Sequence, residues 1–262
     1  VFVLIHPGAI GTRLRLALSL KPRDQQDRDF VKRIDNGKDD RWSLQSAGTL
    51  TNFDPAAWWR SNVALPPALL NGRWRADLKR EGAQTAGVAE LTIANSRVGN
   101  VPTSGTLVMK NQSGGWAIDG SLQAADSSVK AQGVITADRS QDRWTAQIDA
   151  PTLAALTSLA RSLPPAMLPA AARDLLPTAG GMSARIELQG RWPQLRTVGE
   201  LKLQNFQSAR AQLKQVQANW QAGPTAQAPL LIDVQAQGMA IGNAKAESLN
   251  LRAEGTVAVH QL

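Results

Sequence analysis

The chain has 262 residues, 29 Lys and Arg against 21 Asp and Glu, a formal net charge of +8, no Cys, and eight Trp with no Tyr. That length accommodates one large or two ordinary domains with a substantial apolar core, and the absence of cysteine excludes a disulfide framework, a thiol nucleophile and a cysteine-based zinc site. The charges are spread along the chain as on a solvated β surface, with no basic cluster of the kind that marks a nucleic-acid tail; an anionic partner such as a lipid headgroup stays open.

Val1-Phe2-Val3-Leu4-Ile5 is apolar, but it is far shorter than the roughly 20 residues a membrane-crossing helix needs. It also lacks the basic leader of a signal peptide. It reads as a strand entered midway. The chain is therefore expected to be an interior stretch of a longer protein whose targeting elements lie outside it, with residues 1–20 continuing a preceding segment as strand. Leu14-Arg15-Leu16-Ala17-Leu18-Ser19-Leu20 alternates strictly, so Leu14, Leu16 and Leu18 fall on one side of a strand. Lys21 to Arg41 is charge-dense and reads as a mobile loop with a turn at Asp35-Asn36-Gly37.

Beyond Trp42 the pattern is short apolar–polar strands punctuated by turns. Turn signals fall at Asn111–Gly115, Ala125–Ser128, Asp138–Asp142 and Ala222–Pro224. Few helix-length segments separate the strands, which argues for an antiparallel meander rather than a parallel α/β sheet. Two stretches break the alternation. The first runs through Asn52 to Leu70, where Asp54 suits a helix N-cap and Pro55 the first helical position. The second is Pro151 to Leu176, where Leu153, Leu156, Leu159 and Leu163 stand at helical spacing. Pro164-Pro165 should stop that helix, and a second short one is expected over Met167 to Leu176, ended by Pro177 and Gly180-Gly181. Helical insertions are thus predicted near 54–70 and 151–176.

The remaining strands alternate clearly. Ile186-Glu187-Leu188-Gln189, Ile232-Asp233-Val234-Gln235 and Leu249-Asn250-Leu251-Arg252 each carry one apolar and one wet side, and Thr256-Val257-Ala258-Val259 resumes the pattern after Gly255. Four Arg-Trp dipeptides, beginning at Arg41, Arg73, Arg143 and Arg191, could stack on single-stranded nucleic acid. In a strand, however, neighbours face opposite sides, so Trp should point inward and Arg outward; no nucleic-acid partner is expected.

The two breaks resemble one another. Leu65-Pro66-Pro67-Ala68-Leu69-Leu70 matches Leu163-Pro164-Pro165-Ala166-Met167-Leu168, and an Arg-Trp strand precedes each. A shorter phrase, Gly48-Thr49-Leu50-Thr51-Asn52-Phe53, recurs as Gly199-Glu200-Leu201-Lys202-Leu203-Gln204-Asn205-Phe206 with a different gap. The expected organisation is a first β repeat over 42–142 and a second over 143–262, each with a helical turnback, stacked into an elongated architecture. Two similar domains in tandem are the alternative.

Catalytic patterns are not found. His6 and His260 lie at opposite ends of the chain, so a Ser-His-Asp arrangement has little to draw on. No phosphate-binding loop or nucleophile elbow occurs. Acids such as Glu187 and Asp233 sit at outward positions of the alternation. No catalytic residue, metal ligand or cofactor is expected.

Gly190-Arg191-Trp192-Pro193-Gln194-Leu195, followed by Gly199-Glu200-Leu201-Lys202-Leu203, resembles the repeating phrase of the TamB-type inner-membrane subunits of the translocation and assembly module, in the AsmA-like superfamily. Ala211 to Trp220 is similar to that family's next strand, and Asn52-Phe53-Asp54-Pro55 with Trp58-Trp59 to its turnback. The family's N-terminal membrane helix and C-terminal domain are not in this chain, so the resemblance is to the interior.

The resemblance implies a mostly β fold: an elongated twisted antiparallel sheet curled into an apolar groove. It implies a periplasmic bridge, anchored in the inner membrane of a Gram-negative bacterium, that partners an Omp85-class outer-membrane barrel through regions outside this chain. Such a bridge would contribute to outer-membrane protein assembly and to moving phospholipid, held by its acyl chains. An alternative role is a chaperone module for unfolded strands of outer-membrane β-barrel precursors, added at a sheet edge. The expected groove lining comprises Leu14, Leu16, Leu18, Leu201 and Leu203, then Val216, Trp220, Ile232 and Val234, and finally Leu249, Leu251, Val257 and Val259. Alternation alone fits a closed core or an open trough equally well.

Overall fold

The computed structural model describes residues 31–36, 42–55, 67–82, 84–112, 115–162, 173–191 and 194–261. The predicted strand Leu14–Leu20, with Leu14, Leu16 and Leu18, and the proline-rich parts of both turnbacks lie outside these residues.

The strands in chain order are β1 (Val31–Asn36), β2 (Trp42–Phe53), β3 (Ala68–Glu81), β4 (Gln84–Val98), β5 (Val101–Gln112), β6 (Gly115–Ala124) and β7 (Ser127–Thr136). They continue as β8 (Arg143–Ala150), β9 (Ala179–Arg191), β10 (Gln194–Gln207), β11 (Ala211–Ala222), β12 (Pro229–Ile241), β13 (Ala244–Thr256) and β14 (His260–Gln261). A 3-10 turn at Arg139–Gln141 precedes β8, and a helix α1 (Leu153–Ser162) follows it. Among the described residues, all fourteen strands form one sheet in sequence order, with β1 and β14 at opposite edges, so the sheet is open. Every neighbouring pair is antiparallel. The predicted repeats 42–142 and 143–262 meet where β7 pairs with β8, within this continuous sheet.

Directly paired residues in an antiparallel ladder project to the same side, so the register fixes each face. From Leu201 the pairing runs through Ala218, Val234 and Leu251 in one direction. In the other it runs through Ala184, Ile148, Val129, Leu122 and Gly105 to Ile93, Gly72 and Leu50. The residues of this face are Leu, Ile, Val, Ala, Met, Trp, Phe and Gly with a few Ser, Thr and Asn. Among the residues of β2–β13 that the pairing places on this face, Arg80 at the outer end of β3 is the only charged one. The opposite face carries Arg73, Glu90, Lys110, Asp119, Arg185, Glu187, Lys202 and Asp233.

Glycine–tryptophan pairs fill gaps in the apolar face. Trp74 lies over Gly48, Trp144 over Gly133 and Trp220 over Gly199, each opposite its glycine in the register. A Cβ on any of the three glycines would come within 2.2–2.3 Å of the indole ring. The missing side chain makes room for the ring on the neighbouring strand. Trp74 Nε1 donates to Ser46 Oγ at 3.1 Å, and Trp220 Nε1 to Thr197 Oγ1 at 3.0 Å, so the indoles are packed and satisfied.

The recurring Leu-x-Asn-Phe phrase has a backbone meaning. Asn52 and Asn205 both adopt φ of +48°, and Asn95 is at +50°, a left-handed conformation that asparagine tolerates better than most residues. Each sits in a register shift: between Leu50 and Phe53, between Ile93 and Ser96, and between Gln204 and Gln207. The extra residue lets Leu50 and Phe53, three apart, share the apolar face, and relative to β9 does the same for Leu203 and Phe206. Such bulges bend the strands. Asn71 ties the first row together, accepting from the Asn52 amide at 2.8 Å and donating to the Asn95 carbonyl at 2.9 Å.

Several expectations are corrected. Val31–Asn36, placed in a charged mobile loop over 21–41, forms β1 and pairs with β2; the turn expected at Asp35-Asn36-Gly37 is strand through Asn36. Lys32, Arg33 and Asp35 give this strand the charged composition typical of sheet edges, which masks its periodicity. The insertion near 54–70 ends earlier, because β3 begins at Ala68. The insertion near 151–176 contains α1, and Arg173 is its last helical residue before a turn at Asp174–Leu175. Gly180 and Gly181 start β9 rather than ending a helix. A Cβ on Gly180 would lie 2.8 Å from Phe206 Cα, so glycine is needed where β9 meets the bulge in β10.

Candidate functional site: an open apolar face

Eight of the thirteen expected lining residues share the apolar face: Leu201, Leu203, Val216, Trp220, Ile232, Val234, Leu249 and Leu251. Val257 and Val259 do not. β13 ends at Thr256, whose amide donates to the Val259 carbonyl at 2.7 Å, so both valines stand in a turn beyond the sheet. Gly255, at φ of +144°, ends the alternation that Val257 and Val259 continue on paper.

The sequence reading missed the middle of the face. Leu91, Ile93, Leu107, Met109, Ile118 and Leu122 on β4–β6 lie on the same side as Leu201. Glycine, alanine and serine dilute the alternation there. The signal that could have found them is the cross-strand complement, a glycine in one strand opposite a bulky residue in the next, as with Leu107 and Gly120.

Among the described residues, no second layer covers the length of this face. The buried apolar residues are few and mostly small: Ala68, Val101, Ala124, Ala150, Leu153, Ala211, Ala236 and Ala253. Large ones stay partly exposed, Leu107 at 38%, Leu122 at 49% and Leu249 at 47%. Adjacent strands lie about 4.8 Å apart, so β2 to β13 present apolar side chains over roughly 50 Å.

The two ends of the face differ. α1 packs against β5 and β9, four strands apart, and so crosses the strand ends between them. Val101, Ala124 and Ala150 at those ends are buried, as is Leu153 of the helix. Thr157 inside α1 gives its hydroxyl proton to the Pro177 carbonyl, anchoring the return to β9. The helix therefore caps one end of the face. At the opposite end, Trp42, Trp116, Trp144 and Trp220 each lie within three residues of a strand terminus and on the apolar side.

That second end is clamped by Asp142. Its carboxylate, 2% exposed, accepts from the Thr136 amide at 2.7 Å, the Thr136 hydroxyl at 3.1 Å and Arg191 Nε at 2.6 Å. Its carbonyl accepts from the Gly190 amide at 2.8 Å. β7 and β9 are thereby tied across β8. Burial pushes the Asp142 carboxyl up; the Thr136 amide, Arg191 and the Thr136 hydroxyl together outweigh this and hold it below the usual carboxylate range.

Among the described residues no group of three or more His, Asp or Glu could hold a metal ion, and no helix is long and apolar enough to cross a membrane. No family model, curated protein or solved structure is significantly similar to the chain.

Proposed function

We propose that the chain is a non-catalytic segment of a periplasmic bridge that carries phospholipid between the inner and outer membranes, its apolar face holding the acyl chains, and that it thereby contributes to outer-membrane protein assembly. The observation that carries this reading is the apolar face itself, continuous over twelve strands and left uncovered by the described residues except where α1 caps one end. The resemblance to TamB-type interiors supplies the membranes, the periplasm and the Omp85-class partner, engaged through regions outside this chain. Aliphatic side chains offer no polar readout, so the surface would accept acyl chains irrespective of headgroup. Organic extraction of the purified chain followed by mass spectrometry should recover phospholipid well above a control protein prepared alongside. Phospholipid at the control level would overturn the proposal for this segment.

A second reading is favoured by the edge of β13. Among the described residues, β14 pairs only with Glu254 and Gly255, so residues 244–253 present an unpaired backbone edge. Such an edge accepts an added strand, here from an unfolded outer-membrane β-barrel precursor. Residues 250 and 251 point their amides to opposite sides, so Asn250→Pro and Leu251→Pro should differ. One should abolish binding of a barrel-strand peptide with the sheet intact, and the other should disrupt pairing with β12. Equal peptide binding by the wild type and both variants would exclude augmentation at this edge.

A further inference from the structure

We infer that the polar side of the clamped end holds a binding site for a phosphate-bearing anion, formed by Arg139, Arg191 and Arg196. The three side chains line one cavity of about 540 Å³, closed by Gln189, Gln194 and Ser140. They come from three places in the chain: the 3-10 turn before β8, the end of β9 and the start of β10. Pairing of Arg196 with Gln189 puts the site on the face opposite the apolar one.

Arg191 is the fixed member. Nε and one terminal nitrogen bind Asp142, and the same terminal nitrogen reaches the Thr136 carbonyl at 3.3 Å. A guanidinium has five N–H donors, so the other terminal nitrogen keeps its two, and the side chain remains 39% exposed. Arg139 and Arg196 form no ion pair among the described residues. Among the described residues no carboxylate lines the cavity, and those around it are engaged: Asp142 with Arg191, Asp138 with Ser140 and Gln141, and Glu187 with Arg185. One anchored and two free guanidiniums around a cavity of this size suit a tetrahedral oxyanion, which accepts several charge-assisted N–H bonds at once. Side-chain amides of Gln189 and Gln194 add neutral donors.

The site does not rest on the acyl-chain reading, since it lies on the other face, and its failure would leave lipid recovery unchanged. The phosphate can belong to a lipid headgroup or be free, and two probes separate these sources. Inorganic phosphate and a short-chain phosphatidylglycerol below its micelle concentration are titrated into the full chain by calorimetry. Saturable binding of at least one probe is expected, weakened tenfold or more in the Arg139→Gln/Arg196→Gln variant with its β-sheet circular dichroism unchanged. Tighter binding of the lipid assigns the phosphate to a headgroup; equal or tighter binding of inorganic phosphate assigns it to the free anion. Absence of saturable binding for both probes, or affinity unaltered in the double variant, would overturn the site.

Discussion

Replacing Asp142 with alanine is expected to weaken the β7–β9 end of the sheet by about 3 kcal/mol, through loss of a buried carboxylate that four donors share. The Thr136 amide would lose its acceptor and Arg191 its counter-charge. Arg191 is 39% exposed and can rehydrate, which keeps the effect below that of a fully buried broken pair. In an elongated sheet each strand contacts mainly its neighbours, so the effect should be local rather than spread over the molecule. Hydrogen exchange at Gly190, whose amide binds the Asp142 carbonyl, should therefore quicken roughly a hundredfold. Exchange in β11 and β12 should not change. A uniform change across all strands would contradict a local clamp. Asp142→Asn keeps one acceptor oxygen and should have a smaller effect.

The same carboxylate sets an acid response. Its folded-state pKa is depressed, so the stabilisation is fully present above the unfolded value of about 3.9 and is lost as pH falls through the folded value. Protection of Gly190 should thus hold at neutral pH and fall only in acid below about pH 4, whereas in Asp142→Ala it should lack this dependence.

The second large effect concerns the apolar face. Leu107 and Leu122 are 38% and 49% exposed and lie diagonally on β5 and β6, each opposite a glycine. Their exposure means that a substituted glutamate can reach water in the free protein, so Leu107→Glu/Leu122→Glu should fold. An acyl chain laid on the face would cover both carboxylates, and desolvating a charge costs several kcal/mol. Bound phospholipid should fall at least about tenfold. Thr106 and Gln123 are the sequence neighbours of these leucines and face the other way. Glutamate at either position should leave lipid content unchanged.

Much of this face was legible in the sequence because strict alternation is a direct consequence of strand geometry. Leu201, Ile232, Val234, Leu249 and Leu251 could be read that way, and the register places them together. The inward Trp and outward Arg of Arg73-Trp74 and Arg143-Trp144 followed from the same rule: both arginines are more exposed than their tryptophans. Other features were hidden by physics that acts between strands. β1, the edge strand among the described residues, lacks alternation because Lys32, Arg33 and Asp35 interrupt it. Gly180 and Gly181 resemble a helix stop, yet their role is close approach, Gly180 to β10 and Gly181 to the Pro151 backbone beyond β8. Leu-x-Asn-Phe was visible as a repeated phrase, but its three-residue step onto the apolar face appears only with the left-handed φ at Asn52 and Asn205. The choice between closed core and open face depended on whether anything packs on top. Among the described residues only α1 does so, and only at one end.

The central claim is that the leucine side of the sheet, and not the side carrying Thr106, holds lipid. It is tested most directly by measuring phospholipid per chain, by extraction and mass spectrometry, in the wild type, Leu107→Glu/Leu122→Glu and Thr106→Glu prepared together. The account predicts phospholipid in the wild type and Thr106→Glu and its loss in the double variant. Equal phospholipid in all three would contradict it.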